Sequence, residues 1–319
     1  MAFLIGVDEA GYGPNLGPLV VGATVWETGG ASGADLYEGL AGAVVRSPVD
    51  AEDDQLIIAD SKAIYNPRGS LAGLERGVLT GLGCLGQRPT SWQSVWSALA
   101  PDSQPDRDRL PWYADYDELI PIDLEPGRID ATVERLNEVF DDQHVRLHAL
   151  RATAVFPPRF NAMTSQLGNK SHLLSWTTLR LVQQLLETIP AESVSVYCDK
   201  HGGRHYYAGV IQGVFPEHLV SVREEGREVS RYETKIDSRP VEFSFTAKGE
   251  RHLAPAWASI VAKYLRELAM RAFNRFWTQR VSGLRPTAGY PADAGRFYND
   301  MSDQLTRLGL EKDVIWRSR

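Results

Sequence analysis

Ala2-Phe3-Leu4-Ile5-Gly6-Val7-Asp8-Glu9-Ala10-Gly11-Tyr12-Gly13-Pro14-Asn15-Leu16-Gly17-Pro18-Leu19-Val20-Val21 is the stretch on which the reading of this chain turns. Ala2 to Glu9 is an apolar run of strand length that ends on two acids. A second run, Leu19 to Trp26, is rich in Val and Thr and reads as another strand. Gly11 to Pro18 between them holds too much Gly and Pro for helix or sheet, so the backbone turns there. Adjacent residues on a regular strand face opposite ways, so Asp8 and Glu9 can serve one site only where the strand ends or distorts.

Outward from this hairpin, the same ending recurs. Gln55 to Asp60 and Ser193 to Asp199 both read as strands that stop at an acid. Glu250 lies shortly before an expected long helix, Leu253 to Gln279, whose Trp257, Ile260, Val261, Tyr264, Leu265, Leu268, Ala272, Phe273 and Phe276 form one stripe. Leu167 to Leu186 has amphipathic spacing, Val145 to Phe156 reads as a strand, and Val220 to Phe245 as two or three strands with charged faces. Trp92 to Asp123 crowds Pro, Trp and Asp with little periodicity and reads as an inserted, partly irregular segment. Strands with helices packed on them give an α/β or α+β protein.

Composition narrows the class. The 319 residues, 43% hydrophobic and 24% charged, are those of a globular chain with room for a sizeable core. The longest apolar stretch, Leu19 to Trp26, is far short of the roughly 18 residues of a membrane span. With Asp8 and Glu9 in place of an apolar leader, and only Cys84 and Cys198 for thiols, a cytoplasmic protein without membrane contact is expected. The net charge of −7 hides an asymmetry. Residues 1–150 hold 10 Lys/Arg against 24 Asp/Glu, whereas residues 151–319 hold 24 against 17. The basic second half suits a polyanionic partner, since a local field matters more than the total.

Carboxylates gathered at one sheet edge repel unless cations bind them, and hard ions such as Mg²⁺ or Mn²⁺ prefer oxygen ligands. Strand ends of an open α/β sheet are where such sites collect. His172, His201, His205 and His252 have no spacing that suggests a metal site.

Asp8-Glu9-Ala10-Gly11-Tyr12-Gly13-Pro14 resembles the opening motif of ribonuclease HII, the type 2 RNase H family. Asp60-Ser61-Lys62 resembles its Asp-Ser-Lys, Val196-Tyr197-Cys198-Asp199 the strand with its third acid, and Lys248-Gly249-Glu250 the turn with its fourth. Ala258-Ser259-Ile260-Val261-Ala262-Lys263 is similar to the start of its long helix, and Gly289-Tyr290-Pro291 to its Gly-Tyr-Pro. The order is kept over nearly the whole chain, with long interruptions after Lys62 and Asp199. Three departures stand out: Tyr12 and Glu250 where the family has Arg and Asp, and Thr287-Ala288 where it often has His-Lys.

The resemblance implies an RNase H-like fold, a central mixed sheet flanked by helices, with two long insertions and a helical C-terminal part. Residues 1–280 would form the catalytic domain, with insertions at about 84–160 and 204–246, and 281–319 the extension. It implies a metal-dependent endonuclease that hydrolyses phosphodiester bonds, most directly in the RNA strand of RNA/DNA hybrids or in ribonucleotide-containing duplexes. Two divalent cations, Mg²⁺ or Mn²⁺, would lie about 4 Å apart. Asp8, Glu9, Asp199 and Glu250 are the expected catalytic residues and metal ligands. The Gly11-Tyr12-Gly13 backbone is expected against a ribose 2′-OH, Lys62 and Ser259 at phosphates, and Tyr290 stacked on a sugar or base. Lys263 can equally pair with Glu267 one turn on. Two rivals stand beside this reading: a nuclease of the same fold acting on DNA or branched nucleic acid, which Tyr12 favours, and a non-catalytic nucleic-acid-binding module.

Overall fold

The structure is a computed structural model describing residues 2–29, 35–47, 54–59, 64–65, 69–125, 127–190 and 192–318. Its strands are β1 (Ala2–Ala10), β2 (Leu19–Thr28), β3 (Val44–Val45), β4 (Leu56–Ile57), β5 (Arg146–Val155), β6 (Ser193–Asp199), β7 (Ser221–Glu225), β8 (Val229–Ile236) and β9 (Arg239–Thr246). Seven form one mixed sheet in the order β5-β2-β1-β6-β9-β8-β7. β1, β6 and β9 run parallel at its centre, and the other pairs are antiparallel. The helices among the described residues are α1 (Leu36–Gly39), α2 (Ala72–Cys84), α3 (Trp92–Leu99), α4 (Gln104–Arg107), α5 (Gly127–Gln143), α6 (Pro157–Leu167), α7 (Lys170–Leu186), α8 (Ala208–Val214), α9 (Leu253–Thr278) and α10 (Pro291–Arg307). This is an α/β protein with a central mixed sheet covered on both faces.

Strand alternation divides the core in two. Leu4 and Ala10 of β1 point to the face covered by α2, α3, α5 and α9. Phe3, Ile5 and Val7 point to the face covered by α6, α7 and α8. Helix α9 lies directly on β1 and β2. At Gly6 a Cβ would stand 2.2 Å from the Ala254 carbonyl carbon, so only glycine admits the helix so close. Thr24 Oγ1 donates to the Ala254 carbonyl (3.0 Å), and the Trp257 indole to the Gly77 carbonyl (3.0 Å), tying α9 to the sheet and to α2. Helix α10 packs Ala294, Phe297 and Met301 into the same core, Phe297 lying 5.5 Å from Phe273 of α9.

One reading of the sequence needs correction. The strand expected from Gln55 to Asp60 is only the short β4, paired with β3 outside the main sheet, and Asp60 falls outside the described residues. Trp92 to Asp123 is partly irregular, as expected, with turns and bends over 108–124, and its tryptophan side chains are buried in the core. Short helices α3 and α4, split by prolines, hide the periodicity. Trp92 donates to the Leu268 carbonyl (3.1 Å), and Trp112 meets Phe273 edge-on at 5.3 Å, so these aromatics complete the cover over α9. Among the described residues no helix is long and apolar enough to cross a membrane.

Candidate active site

The parallel pairing of β1 with β6 ends at Val7 and Cys198, so Asp8 and Asp199 emerge side by side past the last rung. On the other side, β1 stays paired with β2 through Ala10. The strand is therefore ending on one edge only, and it keeps its alternation. Asp8 shares the α9 face with Leu4, and Asp199 shares it with Tyr197, whereas Glu9 lies on the α7 side. Glu250 arrives from a short 3₁₀ turn, Gly249–Arg251, entered through Lys248 at φ 60°. That turn docks on Asp199: the Gly249 amide donates to Asp199 Oδ1 (2.8 Å).

The carboxylates act on one another. Burial first, then Asp199 and Glu250, raise the Asp8 carboxyl to about 7 against donation from Ser259 and from the Glu9 amide (2.8 Å). Burial first, then Asp8 and Asp199, hold Glu9 well above the usual carboxylate range. Among the described residues, hydrogen-bond donors and other carboxylates are the main influences on these acids besides burial. A cluster of this kind holds its negative charge at a cost unless a cation shares it. The all-oxygen donor set fits a hard divalent ion such as Mg²⁺ or Mn²⁺. The side chains are not drawn into a finished cage: among the described residues, no three His, Cys, Asp or Glu groups are placed to hold a metal ion.

The Gly11-Tyr12-Gly13 turn forms one wall. Gly11 has φ 87°, and a Cβ there would strike Arg266 Nε at 2.5 Å. Arg266 is buried, donating to the Ala288 carbonyl (3.0 Å). Arg317 is buried beneath Pro14 and donates to its carbonyl, while its own amide donates to Asn15 (2.8 Å). The segment around Trp316 and Arg317 thus braces the turn from below. Tyr12 is half-buried, and its hydroxyl is raised by burial above all, opposed by a bond with Ser171. Tyr290 is 49% exposed at the rim, with Gly13 beside it. Ser259, buried in α9, bonds Asp8. Lys62 lies outside the described residues. Lys263 pairs with Glu267 at 2.5 Å. His201 is buried and bonded to Ser175 (2.9 Å), with its imidazole pushed down to about 3 by burial first and Arg204 second.

Lys170, Ser171, Arg204, Arg266 and Arg317 were not singled out by their sequence. Nothing in local spacing marks them, because each reaches the turn from a segment distant in the chain.

No protein-family profile matches the chain, and no curated protein matches it. Among solved structures it is similar to RNase HII from Archaeoglobus fulgidus, determined in complex with PCNA, at 14% identity and a TM-score of 0.42 over 99% of this chain and 94% of that one. It is similar to Bst-RNase HIII in complex with Mn²⁺ (15%, TM-score 0.43, 99% and 66%). It is also similar to ribonuclease H2 from Pyrococcus horikoshii OT3 (17%, TM-score 0.39, 98% and 92%).

Proposed function

We propose that this chain is a divalent-metal-dependent endonuclease of the ribonuclease H type that hydrolyses the RNA strand of RNA/DNA hybrids or of duplexes containing ribonucleotides. The observation that carries the reading is the approach of Asp8, Asp199 and Glu250 at one sheet edge beside a glycine turn, with Glu9 next along the strand, and the mutual repulsion that raises the Asp8 and Glu9 carboxyls. These four residues would hold two divalent cations, Mg²⁺ or Mn²⁺. When bound, the cations supply Lewis acidity at the scissile phosphate and a water acidic enough to attack it. Ser259 fixes the Asp8 carboxylate in place. The exposed Gly13 side of the turn admits a strand closely enough for backbone groups to meet a ribose 2′-OH, and Tyr290 offers a stacking face at the same rim. Lys62 is assigned to a neighbouring phosphate. The free thiols of Cys84 and Cys198 suit the reducing cytoplasm.

The test is cleavage of end-labelled RNA/DNA hybrid, single-ribonucleotide duplex and all-DNA duplex with Mg²⁺ or Mn²⁺. Ion-dependent cutting of the first or second substrate is expected. Cutting of the DNA duplex alone would move the assignment to a DNA nuclease, and no cutting of any substrate would leave a binding module.

A further inference from the structure

The basic residue absent from position 12 has a counterpart in space. Lys170, at the start of α7, places Nζ 4.7 Å from the centre of the Tyr12 ring. A Cβ on Gly202 (φ 55°) would lie 3.1 Å from Tyr12 Cε1 and from its hydroxyl, so the turn at Gly202 packs directly on the ring. Arg204 follows, its amide bonded to the His201 carbonyl (3.0 Å) and its Nε to Ser171 Oγ (3.4 Å). Ser171 also bonds the Tyr12 hydroxyl, and both Glu9 and Arg204 are near enough for their charge to act on that hydroxyl. Two cations from different segments therefore approach Tyr12 beside the acidic edge. Both are only partly buried, and neither forms an ion pair among the described residues.

Resting on the nuclease reading above, we propose that Lys170 and Arg204 form a phosphate-binding subsite for the nucleic-acid strand that lies along the Gly11-Tyr12-Gly13 turn. Tyr12 is the platform against which the Lys170 ammonium rests. Lys170 acts as a point charge, and Arg204 presents a planar fork already oriented by Ser171. Because the contact is to phosphate, it strengthens binding without reading sequence.

The experiment is equilibrium binding of a fluorescein-labelled RNA/DNA hybrid duplex to the full chain in EDTA, so that no strand is cut, over roughly 50 to 200 mM salt. Lys170→Gln and Arg204→Gln are each expected to weaken binding about three- to tenfold and to reduce the slope of log affinity against log salt by about one. Lys170→Arg keeps the charge and is expected to bind as the unaltered protein does. Arg146→Gln, exposed at the opposite end of the sheet, is the control and should change neither quantity. If the unaltered protein binds and the two Gln variants match it in affinity and slope, the subsite is wrong while the nuclease reading stands. If Arg146→Gln loses as much as they do, the attraction is diffuse and the subsite is equally wrong. If the unaltered protein shows no binding even at the lowest salt, both the subsite and the nuclease reading fall.

Discussion

Glu75 and Asp8 are both acids set against the same long helix, and their surroundings differ in kind. Glu75 is fully buried in α2, where its carboxylate accepts the backbone amides of Ile122 (2.6 Å), Asp123 (2.8 Å) and Leu124 (3.0 Å) and the Tyr264 hydroxyl (3.2 Å). Every donor is neutral and fixed, and the charge is spent on holding the 121–124 loop to the core. Asp8 has one hydroxyl and one amide for donors and two other carboxylates pressing on it. A buried acid saturated with donors is a structural element. One left with repulsion is arranged for something that comes from outside.

That contrast can be broken most sharply by removing each charge. Asp8→Asn or Asp199→Asn keeps the side-chain shape and should lower hydrolysis by about a thousandfold or more, on the order of 4 kcal/mol in barrier. The melting temperature should rise slightly instead of falling, because like-charge repulsion is relieved. Steady-state cleavage and a thermal melt check the two halves, and full activity in either variant would remove the acids from the chemistry. Glu75→Ala should do the reverse. It strands three amides and a hydroxyl in the core, a loss of about 3 kcal/mol or more, readable in a urea titration. Activity per folded molecule should be kept. If Glu75→Ala is as stable as the unaltered chain, the structural half of the comparison fails.

What the sequence could and could not reveal follows the same division. The central strands were legible, Ala2–Ala10 and Leu19–Thr28 as apolar runs buried on both faces and Ser193–Asp199 as an alternation with one face buried, and all three stand within a residue or two of the expected bounds. Helix α9 was legible from its stripe. The acids were visible as endings of those strands, and Asp199 and Glu250 both raise the Asp8 carboxyl. Glu75 gave no sign, since its partners are backbone amides, which any residue carries. The burial of the Trp92 to Asp123 aromatics was not legible, because short helices broken by prolines have too few turns to show a period. Arg266, Arg317 and Lys170 were invisible for a third reason: each meets the glycine turn only through the tertiary fold.

A smaller test sharpens the contrast through the proposed cation. An ion that binds the folded protein alone stabilises it by about 2.7 kcal/mol at a hundred times its dissociation constant. Added Mn²⁺ should therefore raise the melting temperature of the unaltered chain. It should raise that of Glu75→Gln by the same amount, and that of Asp199→Asn by much less. Calorimetry in the absence of substrate reads this without reference to activity. Equal shifts in all three proteins would mean that the cation binds elsewhere.

The smallest expected effect concerns the positive charge beside the acids. Restoring Arg at position 12 looks like a simple gain for ribonucleotide recognition when the turn is considered alone. In the fold, Lys170 already stands 4.7 Å over the Tyr12 ring and the Arg204 charge acts on the same side chain's hydroxyl. A third cation there meets two like charges and loses the ring on which Lys170 rests, so Tyr12→Arg should destabilise the protein by about 1 kcal/mol. Adding Lys170→Ala should recover part of that loss, because the repulsion is then removed. A double-mutant cycle on unfolding free energy isolates the coupling, expected at about 0.5 to 1 kcal/mol and weakening with salt. Strict additivity of the two substitutions would show that Lys170 and residue 12 do not sense each other, and the neighbourhood of Tyr12 would then be free to accept an arginine.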